Sequence, residues 1–137
     1  MSINSAHGAF EIDGVHTEVV VTEYADRVLV LATQIGKLGT MYLTRDAGPG
    51  GGRGFEPPEV RVIVGRREDE MLEATARRLA QVIQARGSTK QVLVSLGLRP
   101  TLAVGTLRGV ARVAADFACD AMGLGAPAGM GEMSLEA

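Results

Sequence analysis

Two short, mainly apolar runs constrain this chain more than anything else in it. Val28-Leu29-Val30-Leu31-Ala32 and Val92-Leu93-Val94-Ser95-Leu96 have no polar alternation. Each is too short for a buried helix and is rich in β-branched residues, so each reads as a strand covered on both faces. Around them lie further strand candidates. Gly8 to Ile12 ends at the turn pair Asp13-Gly14, His16 to Tyr24 centres on Val19-Val20-Val21, and Arg27 to Gln34 holds the first run. Thr40 to Thr44 follows the turn Gly36-Lys37-Leu38-Gly39. Glu59 to Gly65 alternates, with Val60, Val62 and Val64 on one side and Arg61 and Ile63 on the other. Gln91 to Leu98 holds the second run.

Two helices complete the pattern. Over residues 68–86, Leu72, Ala76, Leu79 and Ile83 fall on one face, Glu68, Asp69 and Glu70 suit the positive end, Glu73 and Arg77 form an i,i+4 pair, and Arg86 with Gly87 closes the helix. Over residues 102–122 the apolar face is Val110, Val113, Ala114, Phe117 and Ala121; Gly105 and Gly109 permit close backbone approach or a later start. The expected fold is α+β: a single, mostly antiparallel sheet of five to six strands with two helices on one face. One domain spans 1–122. Residues 46–58 are rich in Gly and Pro and read as a flexible loop, and 123–137 as a disordered tail.

Two helices of about 30 Å cover one face of such a sheet and leave the other bare. A bare apolar face larger than a few hundred Å² is unusual for a soluble monomer. A sheet-to-sheet dimer through the face away from the helices is therefore expected, with Val19, Val21, Val28, Val30 and Ala32 as candidate interface residues and burial above about 1,000 Å².

Composition narrows the function. Aromatics are 4% of the chain, Trp is absent, and net charge is −2 from 14 basic and 16 acidic residues. No stacking platform or basic field for nucleic acid is expected. The single cysteine, Cys119, reads as a buried small hydrophobe and fits a reducing compartment. No signal peptide or membrane-spanning run is visible, so the cytosol is the expected location, with the nucleus second. His7 and His16 lack metal-ligand spacing, the glycines at 48–54 lack the ending of a phosphate loop, and no nucleophile, base and orienting group can be assembled. No enzyme, metal or cofactor is expected.

The stretch from Thr17 to Thr40 carries a fairly specific block. Thr33, Gln34, Gly36, Lys37, Gly39 and Thr40 form T-Q-x-G-K-x-G-T after an apolar strand. With the later strand–helix–strand–helix order, it resembles the proteasome assembly chaperone 3 family over residues 8 to 120. The resemblance implies an ATP-independent chaperone for the proteasome core particle. Such a protein pairs, sheet against sheet, with a related fourth assembly chaperone or with itself. The pair holds alpha-type subunits while the alpha ring forms and leaves as beta subunits arrive. The six block residues are then candidate protein-binding residues, with Arg77 and Arg78 the next place to look. Other proteasome chaperones dock through a hydrophobic-Tyr-X end; this chain ends Ser134-Leu135-Glu136-Ala137, so that mode is not expected. The Gly-rich loop and the tail depart from the family pattern. Two other classes fit the same residues: an unrelated dimeric scaffold or trafficking subunit, and a small homodimeric enzyme.

Overall fold

The structure is a computed structural model and describes residues 4–45, 59–65, 69–100 and 102–124. The expectations for loop 46–58 and for 125–137 lie outside the described residues. The elements are β1 (Asn4–Ile12), β2 (Val15–Glu23), β3 (Arg27–Thr33), β4 (Thr40–Arg45), β5 (Glu59–Val64), α1 (Glu70–Ala85), β6 (Gln91–Gly97) and α2 (Val104–Met122).

All six strands form one sheet in the order β1-β2-β3-β6-β4-β5. Every pairing is antiparallel except β3 with β6, where Arg27 lies opposite Gln91 and Thr33 opposite Gly97. The sheet is therefore open and mixed, with β6 inserted between the N-terminal meander and the β4–β5 hairpin. Because β4 is antiparallel to both β5 and β6, those two run parallel, and α1 is the crossover between them.

Both helices pack on one face. α2 lies over β1, β2 and β3, and α1 over β4, β5 and β6. Between them and the sheet sits an aliphatic core of Val19, Val21, Val28, Val30, Ala32, Val92, Val94 and Leu96, together with Leu79, Ile83, Val110 and Ala114. Burying each Val or Leu is worth roughly 1.5–3 kcal/mol. Phe10 of β1 meets Phe117 of α2 edge to face, with ring centroids 5.5 Å apart. α2 is buried on a second side too, through Ala111, Ala115, Ala118 and Cys119, because it also packs against α1.

The helix ends follow local chemistry. Asp69 caps α1, its carboxylate accepting from the Leu72 N–H at 3.0 Å. Glu73 and Arg77 pair at 2.9 Å. Arg86 reaches across to Asp116 of α2 at 2.7 Å and is only 11% exposed, so it fastens the helices together. α2 begins at Val104, and Gly109 admits Ile12 of β1 against the helix backbone, whereas Gly105 faces open space. The helix stops at Gly123, with Leu124 N–H donating to the Cys119 carbonyl at 2.9 Å; these two residues finish the helix rather than start a tail.

Two details differ from the sequence pattern. β1 begins at Asn4, whose side-chain amide donates to the Ala121 carbonyl at 2.7 Å, so a polar contact extends the strand beyond its apolar part. Val64 does not share the side of Val60 and Val62. A bulge opposite Met41 and Tyr42 shifts the register, and Val64 is exposed.

Candidate protein-binding surfaces

The β3–β4 turn is built around one hydroxyl. Thr33 Oγ1 donates to the Lys37 carbonyl at 2.9 Å and accepts from the N–H groups of Ile35 and Lys37, each at 3.2 Å. Gln34 is held at both ends of its amide: Nε2 donates to Thr17 Oγ1 at 3.2 Å, and Oε1 accepts from the Arg99 N–H at 3.0 Å. Gly36 adopts φ +76, which favours glycine. Gly39 is required for a different reason. Its backbone runs so close to β6 that a Cβ would overlap the Leu96 carbonyl and the Gly97 Cα.

These contacts redistribute the candidate residues. Thr33 and Thr40 are buried, Gln34 is committed within the chain, and Gly39 faces β6. Of the six, Gly36 and Lys37 stand exposed at the tip. The residues on either side of them, Ile35 and Leu38, are 44% and 61% exposed. Sequence reasoning passed over both as the variable positions of the block. Their signal was an apolar side chain in a turn that has no need of one.

The second surface is the sheet face away from the helices. Register places Val20, Leu29, Leu31, Leu93, Met41 and Leu43 together on it, all half-buried with no element of the described chain above them. Its rim is polar: His7, His16 and Glu18 toward one edge, Arg27 and Gln91 at one end, Arg45 and Arg61 toward the other edge. The interface candidates Val19, Val21, Val28, Val30 and Ala32 are not part of it. All five lie on the opposite face, beneath the helices, at most 1% exposed. They are core residues, and their neighbours one position along each strand form the open face.

Among the described residues the titratable side chains of His7, His16, Cys119 and Tyr42 gather in no common pocket. His7 and His16 approach Glu18 at 3.6 and 3.3 Å in an exposed cross-strand cluster. Burial pushes the Cys119 thiol up, away from thiolate chemistry. Burial, then the nearby carboxylates of Asp69 and Glu73, pushes the Tyr42 phenol up to about 12. No cluster of His, Cys, Asp and Glu among the described residues has the makings of a metal site.

The chain matches known proteins in sequence and in fold. The family model described as Proteasome assembly chaperone 3 matches residues 30–116, well over half of the chain. A protein of that description from Nematostella vectensis is 56% identical over 36 residues, covering 26% of this chain and 27% of that protein. One from Bos taurus is 26% identical over 86 residues, covering 63% of this chain and 70% of that protein. In fold, the chain resembles one in the crystal structure of a novel chaperone complex for yeast 20S proteasome assembly. The TM-score is 0.60 at 14% identity, over 90% of this chain and 97% of that one.

Proposed function

The chain belongs to the proteasome assembly chaperone 3 family, and from that premise we propose that it is an ATP-independent cytosolic chaperone of core-particle assembly. It pairs through its open sheet face with a related fourth assembly chaperone or with a second copy of itself, and the pair holds alpha-type subunits while the alpha ring forms. Its work is binding, not turnover. The observation that carries the pairing is the cluster of Val20, Leu29, Leu31, Met41, Leu43 and Leu93 on a face that nothing in the described chain covers. Apolar centre and charged rim is the layout of a specific interface. A second sheet stacked about 10 Å away would bury all six.

The exposed tip of the β3–β4 turn, Ile35, Lys37 and Leu38, is the proposed contact with the alpha-type subunit. It offers two apolar side chains beside one cation. Lying at a strand end, the tip remains accessible when the sheet face is covered.

The test is co-expression with the related chaperone, followed by gel filtration and binding to purified alpha-type subunits. Leu31→Asp with Leu93→Asp is expected to abolish pairing while each chain still melts cooperatively. Lys37→Glu with Leu38→Ser is expected to leave pairing intact and weaken subunit binding, with stability changed by less than about 0.5 kcal/mol per exposed substitution. Unimpaired pairing in the first variant sinks the sheet-face reading. Wild-type subunit binding in the second moves the contact away from the turn.

A further inference from the structure

Beyond sheet pairing and the turn, a third surface lies on the far side of the molecule. α1 and α2 run in the same direction, Glu70 near Val104 at one end and Arg86 paired with Asp116 at the other. Their solvent side is an open groove of about 920 Å³. Its apolar lining comes from Met71 and Val82 of α1 and Val104 and Leu107 of α2. Met71 and Val104 are 44% and 52% exposed, an apolar pair left open where two helices meet. Methionine is a flexible side chain suited to adaptable binding surfaces.

The charge along the middle of this groove is positive. Arg78 lines it from α1, and Arg108 and Arg112, one turn apart, from α2. Among the described residues none of the three has a carboxylate partner, whereas the other helix arginines, Arg77 and Arg86, are paired with Glu73 and Asp116. Among the described residues the one acidic side chain lining the groove, Glu70, sits at its end. The chain as a whole has net charge −2, so this cationic strip runs against the average of the molecule.

We infer that the α1–α2 groove docks an acidic amphipathic helix of a partner protein. Two adjacent parallel helices present the ridges into which a third helix packs. From residue 70 to 82 the groove runs about 18 Å, room for roughly three turns of helix. Apolar residues of the occupant at i, i+3, i+4 and i+7 meet Met71, Val104 and Leu107, while its flanking Glu or Asp side chains meet Arg78 on one side and Arg108 and Arg112 on the other. Bidentate arginine–carboxylate pairing on both walls fixes the occupant in register.

The probe is a fluorescein-labelled, helix-stapled peptide of about 14 residues, ~21 Å long, with Leu on one face and Glu on both flanks. Its control carries Lys in place of Glu. Fluorescence anisotropy against the full chain is expected to show the acidic peptide bound at least about tenfold more tightly than the control, with affinity falling as salt rises. Arg108→Glu with Arg112→Glu is expected to reverse the preference, its melting curve certifying the fold. Val104→Asp is expected to weaken both peptides. Equal binding of the two peptides, no binding at about millimolar concentration, or a preference untouched by the arginine swap overturns the inference. It is overturned as well if the acidic peptide binds only after Glu132→Lys with Glu136→Lys. The groove is then held by the chain's own Met130–Ala137 segment.

Discussion

On the side facing α1 and α2, β3 and β6 present Val28, Val30, Ala32, Val92, Val94 and Leu96, none more than 1% exposed. On the other side the same strands present Leu29, Leu31 and Leu93, all half-exposed, and β4 adds Met41 and Leu43. The two faces differ in kind as well as in cover. The helix side is mostly valine, whose stiff χ1 suits packing against neighbours that do not move. The open side is mostly leucine and methionine, with Val20 beside them, and methionine is the more adaptable side chain. The monomer's core therefore rests on one face. The other is apolar and has no element of the described chain above it; a partner that covered it would gain free energy only after the cost of bringing two bodies together.

The sharpest way to break this comparison is to place a charge on each face, one residue apart. Val94→Asp buries an unpaired carboxylate beneath the helices and is expected to cost more than about 4 kcal/mol, enough to abolish cooperative unfolding in denaturant. A folded Val94→Asp chain would show that the helix face is not the core. Next in size is Gly39→Val, expected to cost about 2–3 kcal/mol in the same assay, because its side chain must displace the β6 backbone. Leu93→Asp, by contrast, should change the stability of the isolated chain by no more than about 1 kcal/mol, read at a dilution where melting no longer depends on concentration. A loss like that of Val94→Asp would mean the open face carries the fold after all.

The smallest effect tests the covered face for imperfection. Tyr42 is fully buried there, and its hydroxyl has no hydrogen-bond partner among the described residues. Tyr42→Phe is expected to leave stability unchanged or raise it by up to about 1 kcal/mol. The phenol also gives a pH signature. Burial pushes its folded pKa up to about 12, above the ordinary value of 10.0. The unfolded chain thus releases its proton first, and stability present below pH 10 is lost as pH rises toward 12. Tyr42→Phe lacks that part of the alkaline decline; identical pH profiles would place the phenol in contact with solvent.

Most elements were legible because alternation and helical stripes leave marks: α1 from Ala76, Leu79 and Ile83, β6 from its apolar run. The parity of the central strands was not. In Val28-Leu29-Val30-Leu31-Ala32 both faces are apolar, so nothing in the run says which set the helices cover. A slip of one position exchanges the faces entirely, which is how Val19, Val21, Val28, Val30 and Ala32 came to be expected at an interface. The β3–β4 block was legible as a turn, but not the reason for its residues. Thr33 and Gln34 serve bonds to partners as distant as Arg99, and Gly39 serves an approach to a strand more than fifty residues later. Sequence proximity carries no trace of either. The α1–α2 groove was legible only as Arg78, since its second wall depends on α2 lying alongside α1 in the same direction.

The insertion of β6 also dictates an order of events. Its partner β3 lies 64 residues earlier, as Arg27 opposite Gln91 records, and its other partner, β4, is closed off by a hairpin and a helix before β6 begins. Contacts so far apart along the chain carry a large loop-closure entropy and slow folding. During synthesis the β1-β2-β3 meander emerges with one edge of β3 unpaired, and β4 leaves the ribosome with one side likewise open. Both edges wait for the same seven residues, Gln91–Gly97. Until these arrive, the nascent protein presents two sticky strand edges to its surroundings. A substitution that keeps β6 from pairing therefore leaves both halves open at once, and aggregation during refolding is expected to accompany its loss of stability.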